Sequence, residues 1–150
     1  MVISALLELF KRDLNILHVE INLYSNESNL WITSADIKNS PGNLSLHLCG
    51  NLQHFIGAVL GNTGYIRDRE AEFSKKNVSK AELLTSIDNT KEVVMNVLES
   101  LSVDELEKDY PIEVFKKKMT TIYFLIHLHS HLNYHLGQIN YHRRLLDKAE

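Results

Sequence analysis

The chain is poor in residues that interrupt helices. It has two prolines and six glycines in 150 residues, so long stretches are free to be helical. Cysteine is nearly absent. Cys49 alone cannot close an intramolecular disulfide, and nothing demands an oxidising compartment. The net charge of -3, with histidine neutral, gives no electrostatic case for a nucleic-acid partner. The only dense basic run, Lys116 to Lys118, reads as a solvated stretch before the last helix. No apolar run approaches membrane-spanning length. The apolar N-terminal stretch from Met1 to Phe10 meets Lys11, Arg12 and Asp13 at once. Without a basic leader or a small-residue cleavage site it does not read as a signal peptide. The expectation is a cytoplasmic protein with neither nucleic acid nor membrane as partner. Alternating strand patterns, internal repeats and low-complexity segments are missing too. So are Glu-x-x-His and His-Glu-x-x-His, which argues against a carboxylate-bridged di-iron bundle and a zincin protease.

What is present is ordinary in amount and informative in order. Hydrophobic residues make up 44% of the chain and charged residues 23%, as in a soluble globular protein, and the length suits one domain over residues 1–150. Leu6, Leu7, Phe10, Leu14, Leu17, Ile21 and Tyr24 recur at helical steps and predict a first helix from about Ile3 to Asn26. Ser40 as cap and Pro41 in the first turn start a second helix, which runs to about Gly61. Gly50, Gly57 and Gly61 fall within it or at its end. Glycine inside a helix costs roughly 1 kcal/mol against alanine, so these positions predict close approach of another helix, within the chain or across a dimer. The polar stretch Arg67 to Phe73 leads into a third long helix, which Ser79 and Glu82 open as a capping box. Ser102 and Glu105 repeat that pattern over a short extra turn, ended by Pro111. The fourth helix runs from about Thr120 to Lys148, with Tyr134 and Tyr141 as packing residues. Four long helices fit an all-α, antiparallel four-helix bundle with at least one long crossover connection.

Histidine is the one abundant functional residue. There are eight, and four lie between His127 and His135. Residues four apart share a helix face, so His131 with His135, or His127 with His131, can reach one point. At about 100° per residue, His129 lies nearly opposite. On the second helix His47, Asn51, His54 and Ala58 share a face. His47 is the candidate third ligand; His54 sits about 10 Å further along the axis. Three imidazoles from two helices make a site for a divalent cation with open positions. Cys49 points about 200° away from His47 on the same helix, which argues against a cysteine–histidine catalytic pair.

These residues carry a family resemblance. Pro41 to Leu52, read Pro-Gly-Asn-Leu-Ser-Leu-His-Leu-Cys-Gly-Asn-Leu, resembles the second helix of the DinB-like (YfiT-type) metal-dependent superfamily. His131-x-x-x-His135-x-Gly137-Gln138 resembles its last-helix motif. Arg67-Asp68-Arg69-Glu70-Ala71-Glu72-Phe73 looks like a stretch of one uncharacterised DinB-like subfamily. The resemblance covers nearly the whole chain. It implies a four-helix bundle with an unusual order of helix directions, often dimeric. It also implies a site for nickel, zinc or iron made by His47, His131 and His135. Many relatives carry arginine where this chain has Leu136, so any role of that arginine does not transfer.

The relatives include metal-dependent thiol transferases and maleylpyruvate isomerase-like enzymes. The resemblance therefore implies a metal-dependent enzyme, an S-transferase or hydrolase, using a low-molecular-weight thiol. A stress-related, non-catalytic metal-binding homodimer is the alternative, and a metal-free structural bundle is a third reading. Supporting residues each carry two readings. Asn51 can orient a ligand or a bound water, or simply pack. Gln138 can hold a ligand's second nitrogen, or face solvent. Arg67 and Arg69 can recognise a substrate carboxylate, or form ion pairs with Asp68, Glu70 and Glu72.

Overall fold

The computed structural model describes residues 2–148; Met1, which opens the apolar N-terminal stretch, lies outside them, as do Ala149 and Glu150. Helix α1 spans Val2–Asn22 and buries Leu6, Phe10, Leu14, Leu17 and Ile21. It stops short of the expected Asn26. That residue is extended, and its side chain accepts from the Ser28 backbone to cap a 3-10 turn over Glu27–Trp31. The polar run read as the end of one helix is the start of the next element.

Helix α2 begins at Pro41, with the Ser40 hydroxyl capping the Asn43 amide as expected. It runs as α-helix over Pro41–Leu52, widens to a π-helix over Gln53–Ala58 and closes over Val59–Gly61. Asn62, in the left-handed region at φ 50°, ends it. The wide turn loosens the usual hydrogen-bond ladder. There the Phe55 carbonyl accepts from the Tyr110 hydroxyl at 2.6 Å. The glycines meet parts of the same chain. A Cβ at Gly57 would lie 3.0 Å from Val93, and one at Gly61 would overlap Val97. Their helix-weakening cost thus buys close packing inside the fold rather than across a dimer.

Short helix α3, Arg69–Ser74, is capped by Asp68. Helix α4 spans Lys80–Ser100 and short helix α5 spans Val103–Glu107; both open on the predicted capping boxes. Helix α6 covers Thr121–Leu146, with Thr120 as its cap. Among the described residues no β-strand forms; residues 108–120 make only isolated bridges, Asp109 with Thr120 and Val114 with Lys117.

The long helices close a ring in which α1 and α2 each pack on both α4 and α6. Cross-helix contacts give the directions. Lys91 reaches Asn15 and Lys80 reaches the Tyr24 carbonyl, so α1 and α4 are antiparallel. Asp13 meets Asn133 and Glu20 meets Arg143, so α1 and α6 are parallel. His47 meets His131 while Phe55 meets Phe124, so α2 and α6 are antiparallel. Gln53 meets Thr90 and Gly61 meets Val97, so α2 and α4 are parallel. The order is up, down, down, up. Two successive helices pointing the same way require a crossover, which residues 62–79 supply. Leu14, Leu17, Leu48, Leu52, Ile87, Val94, Leu125, Leu132 and Ile139 fill the centre with no exposure. Tyr134 and Tyr141, expected to pack, are each 66% exposed: they fall on the outer face of α6, opposite the buried Leu132, Leu136 and Ile139 stripe. Among the described residues no helix is long and apolar enough to cross a membrane.

Candidate metal centre

Helix α2 lies antiparallel on α6, so one turn of each comes level. This places His47 opposite His131 and His135. The Nε2 atom of His131 lies 3.1 Å from Nε2 of His47 and 3.1 Å from Nε2 of His135. The three ligand nitrogens all fall within 4.8 Å of one another, and among the described residues no fourth histidine, cysteine or carboxylate joins the cluster. Tetrahedral zinc with Zn–N near 2.0–2.1 Å sets imidazole nitrogens roughly 3.3 Å apart, so the spacing fits a shared cation.

The second nitrogens of two rings are spoken for. Nδ1 of His47 donates to Oε2 of Glu72 at 2.9 Å. Nδ1 of His135 donates to Oε1 of Gln138 at 2.7 Å. A carboxylate only accepts, so the hydrogen sits on Nδ1 of His47 and the Nε2 lone pair faces inward. The Gln138 carbonyl does the same for His135. Two lone pairs then point at His131, whose single Nε2 hydrogen can serve only one of them. A cation at the centre satisfies all three; this competition carries the fit of the donor set to a metal. Nδ1 of His131 is buried with no protein partner, unlike the usual ligand histidine. Burial, with the crowding of the neighbouring His135 and His47 imidazoles, pushes His131 down to about 4. His135 is lowered as well, chiefly by burial, with Gln138 pulling the other way. Both rings are thus held in the neutral form that coordinates.

Glu72 was not among the candidate residues, although it lies in the quoted segment from Arg67 to Phe73. The crossover delivers it to α2. Arg67 clamps its carboxylate at both oxygens, at 2.7 and 2.9 Å. Burial alone would raise its pKa, but hydrogen bonds from Arg67 and His47 outweigh that and hold it below the ordinary carboxylate value. Asn43, one turn before His47, is a second missed residue. Its amide donates to the carbonyls of Glu72 and Lys75 and ties the crossover down. The one available signal was chemical: a ligand histidine needs an acceptor for its second nitrogen, and Glu72 is an acid in a segment already singled out.

The other candidates are placed as follows. Gln138 meets Nδ1 of His135 at 2.7 Å. Arg67 pairs with Glu72, so its guanidinium is committed to the site's frame. Arg69 stacks over Phe73 at 5.4 Å, and Phe73 lies 4.8 Å from the His47 ring. Asn51 is buried, its Oδ1 without a partner, and it makes no bond to a ligand histidine. His127 stacks beside His131 with ring centroids 6.5 Å apart and stays outside the cluster. His129 turns away to Asp13. Cys49 is buried, and burial pushes its thiol pKa up. Two cavities lie near the site. One of about 520 Å³ backs onto Gly50 and Glu72; one of about 410 Å³ touches Gln138. Neither is lined by the three histidines.

A family model described as "Protein of unknown function (DUF1572)" matches residues 3–150. No curated protein matches the chain.

Proposed function

The chain belongs to the DUF1572 family, and on that premise we propose that it binds one divalent metal ion through His47, His131 and His135 and uses it to activate a low-molecular-weight thiol for transfer. The convergence of three Nε2 atoms, two with their lone pairs fixed inward by Glu72 and Gln138, carries the metal assignment. Nickel, zinc and iron all accept imidazole ligands. The resemblance of residues 41–52 and 131–138 to DinB-like proteins supports the same ligand set. Three protein ligands leave a position free, as in catalytic rather than structural sites. When bound, such an ion lowers the pKa of a coordinated thiol or water and supplies a nucleophile near neutral pH. The protein's own part is to fix two imidazole tautomers, keep His131 and His135 neutral and hold α2 against α6. Cys49, buried and with a raised thiol pKa, takes no part.

A second reading has one observation behind it. Neither nearby cavity is lined by the histidines, as suits a non-catalytic metal-binding protein. Self-association is part of both readings. The outer stripe of α6, with Tyr123, Ile126, Tyr134 and Tyr141 exposed, is the face we assign to a two-fold homodimer.

The test has two stages. Protein purified without chelator or affinity tag is expected to carry one divalent ion per chain by elemental analysis; a metal-free chain that also takes up none on addition overturns the assignment. Metal-loaded and stripped protein are then compared on a panel of small thiols with an electrophilic acceptor. Metal-dependent thiol consumption, retained in Cys49→Ser, supports transfer. A bound metal with no turnover across the panel selects the non-catalytic reading.

A further inference from the structure

Gly50 lies one turn beyond Leu46 on α2, and it has a neighbour unlike those of the other helix glycines. A Cβ built there would overlap Oε1 of Glu72 and come within 2.7 Å of Cδ. Gly57 and Gly61 make room for valines of α4; Gly50 makes room for the carboxylate that holds His47. That carboxylate has little freedom elsewhere. Arg67 grips both of its oxygens, His47 donates to one of them, and Asn43 fixes the backbone carbonyl of the same residue. Glu72 is 6% exposed, and its side chain reaches His47 while lying against the bare backbone of α2 at Gly50.

We propose that Gly50 is a positioning residue of the metal centre: its missing side chain lets Glu72 lie against α2 and fix His47 in the ligating tautomer. Any side chain at residue 50 pushes the carboxylate outward, along the flexible end of Glu72 rather than through a backbone. His47 then loses its acceptor, its two tautomers become comparable, and the inward lone pair is no longer preset. The inference rests on the metal reading above and adds to it a residue that touches neither metal nor substrate. Helix propensity gives the substitution an unusual signature. Alanine favours the helix over glycine, so a merely structural role for Gly50 would not predict a defect confined to metal binding.

The experiment is a double-mutant cycle read as metal affinity, by titrating zinc into chelator-stripped protein, with circular dichroism as the check on folding. Gly50→Ala is expected to stay helical and to bind zinc about 10- to 100-fold more weakly, the usual cost of losing a ligand's outer hydrogen bond. Glu72→Ala should lose a similar factor. In the Glu72→Ala background, Gly50→Ala should change nothing further, because the colliding group is gone. If wild type binds neither zinc nor, in the same titration, nickel or ferrous iron, the metal reading falls and this inference with it. If wild type binds and Gly50→Ala binds equally well, the inference alone is overturned. Equal, multiplying losses in both backgrounds overturn it as well, since Gly50 would then act by another route. Should Gly50→Ala fail to fold, the double variant decides: a folded double variant shows that Glu72 is the obstruction, and an unfolded one overturns the proposal.

Discussion

Two imidazole–carboxylate pairs sit in this bundle, and their difference explains why only one joins the three-histidine cluster. His47 pairs with Glu72, and Arg67 grips the carboxylate. His129 pairs with Asp13, and Arg12 grips that carboxylate at 2.7 and 3.0 Å. The ingredients match: histidine, acid and arginine, with the acid almost fully buried in each. The nitrogen that is used differs. His47 donates through Nδ1 and keeps Nε2 for two more imidazoles. His129 meets Asp13 through Nε2 itself, at 2.7 Å, and Asn133 donates to the same oxygen at 2.8 Å. The second network ends on itself and joins α1 to α6. The first ends on an inward-facing lone pair. A histidine–carboxylate contact is therefore no sign of a metal site until the other ring nitrogen is located.

The sharpest way to break the contrast is to delete one imidazole from each. His131→Ala is expected to abolish tight metal binding, because two imidazoles hold a divalent ion poorly. His129→Ala should leave metal content at wild-type level. Elemental analysis of both variants decides it, and equal metal content in the two would show that the networks are assigned the wrong way round.

Deleting the carboxylates should separate fold from site. Asp13→Ala removes the acceptor shared by Arg12, His129 and Asn133 between two core helices. We expect a loss of about 3 kcal/mol of stability, read by urea denaturation of the metal-free protein, with metal affinity kept. Glu72→Ala should show the opposite ranking, with metal affinity falling more than stability.

The helix starts and the candidate histidine pairs of the last helix were legible in the sequence because both are local. Ser40 with Pro41, Ser79 with Glu82 and Ser102 with Glu105 act within a single turn, and His131 and His135 share a face by helical period alone. His47 was legible as well, as the candidate third ligand on the second helix; what needed the resemblance was the choice of pair, since the residues themselves left His127 with His131 as a rival to His131 with His135. Glu72 was not legible: it is 25 residues from His47 in the chain, and only the crossover between two parallel helices brings it near. The exposed Tyr134 and Tyr141 were misread because an apolar residue at helical spacing does not say which face a neighbour covers. The π-turns at Gln53–Ala58 leave no mark in a pattern read at 3.6 residues per turn.

Acid should take the two networks apart in order. Burial alone would raise the pKa of Asp13, yet hydrogen bonds from Arg12, Asn133 and His129 hold it below the ordinary value. Glu20 is lowered against the same burial penalty by Arg143 and Asn140. A carboxyl with a lowered folded pKa contributes fully above the unfolded value, about 4, and loses that contribution as pH falls through the folded value. The α1–α6 networks should therefore weaken only below about pH 4. Metal ligands must be neutral imidazoles, and burial holds His131 down to about 4 and lowers His135 as well, so metal should stay bound at about pH 6 and leave as pH falls toward about 4, ahead of those networks. Metal content and far-ultraviolet circular dichroism, followed across one acid titration, should give two separate midpoints. A single shared midpoint would mean that the site and the fold are not independent.

The smallest expected effect compares the two arginines, and it turns on exposure. Arg12 and Arg67 make the same bidentate grip, but the Arg12 side chain is 58% exposed and that of Arg67 is 12% exposed. Water screens the first pair and competes for both partners, as at most surface ion pairs. Asp13 also keeps His129 and Asn133 when Arg12 is removed. Arg12→Ala should thus leave the unfolding midpoint and the metal affinity within error of wild type. Arg67→Ala strips a desolvated carboxylate of its clamp and leaves it to His47 alone. Glu72 then regains the mobility that the clamp suppressed, and zinc affinity should fall severalfold. The direction is the informative part, since two chemically identical substitutions are predicted to differ only because Arg67 is nearly buried in its pair and Arg12 is largely in water. Matched losses from both variants, measured by the same zinc titration, would show that burial of the Arg67–Glu72 pair contributes nothing to the site.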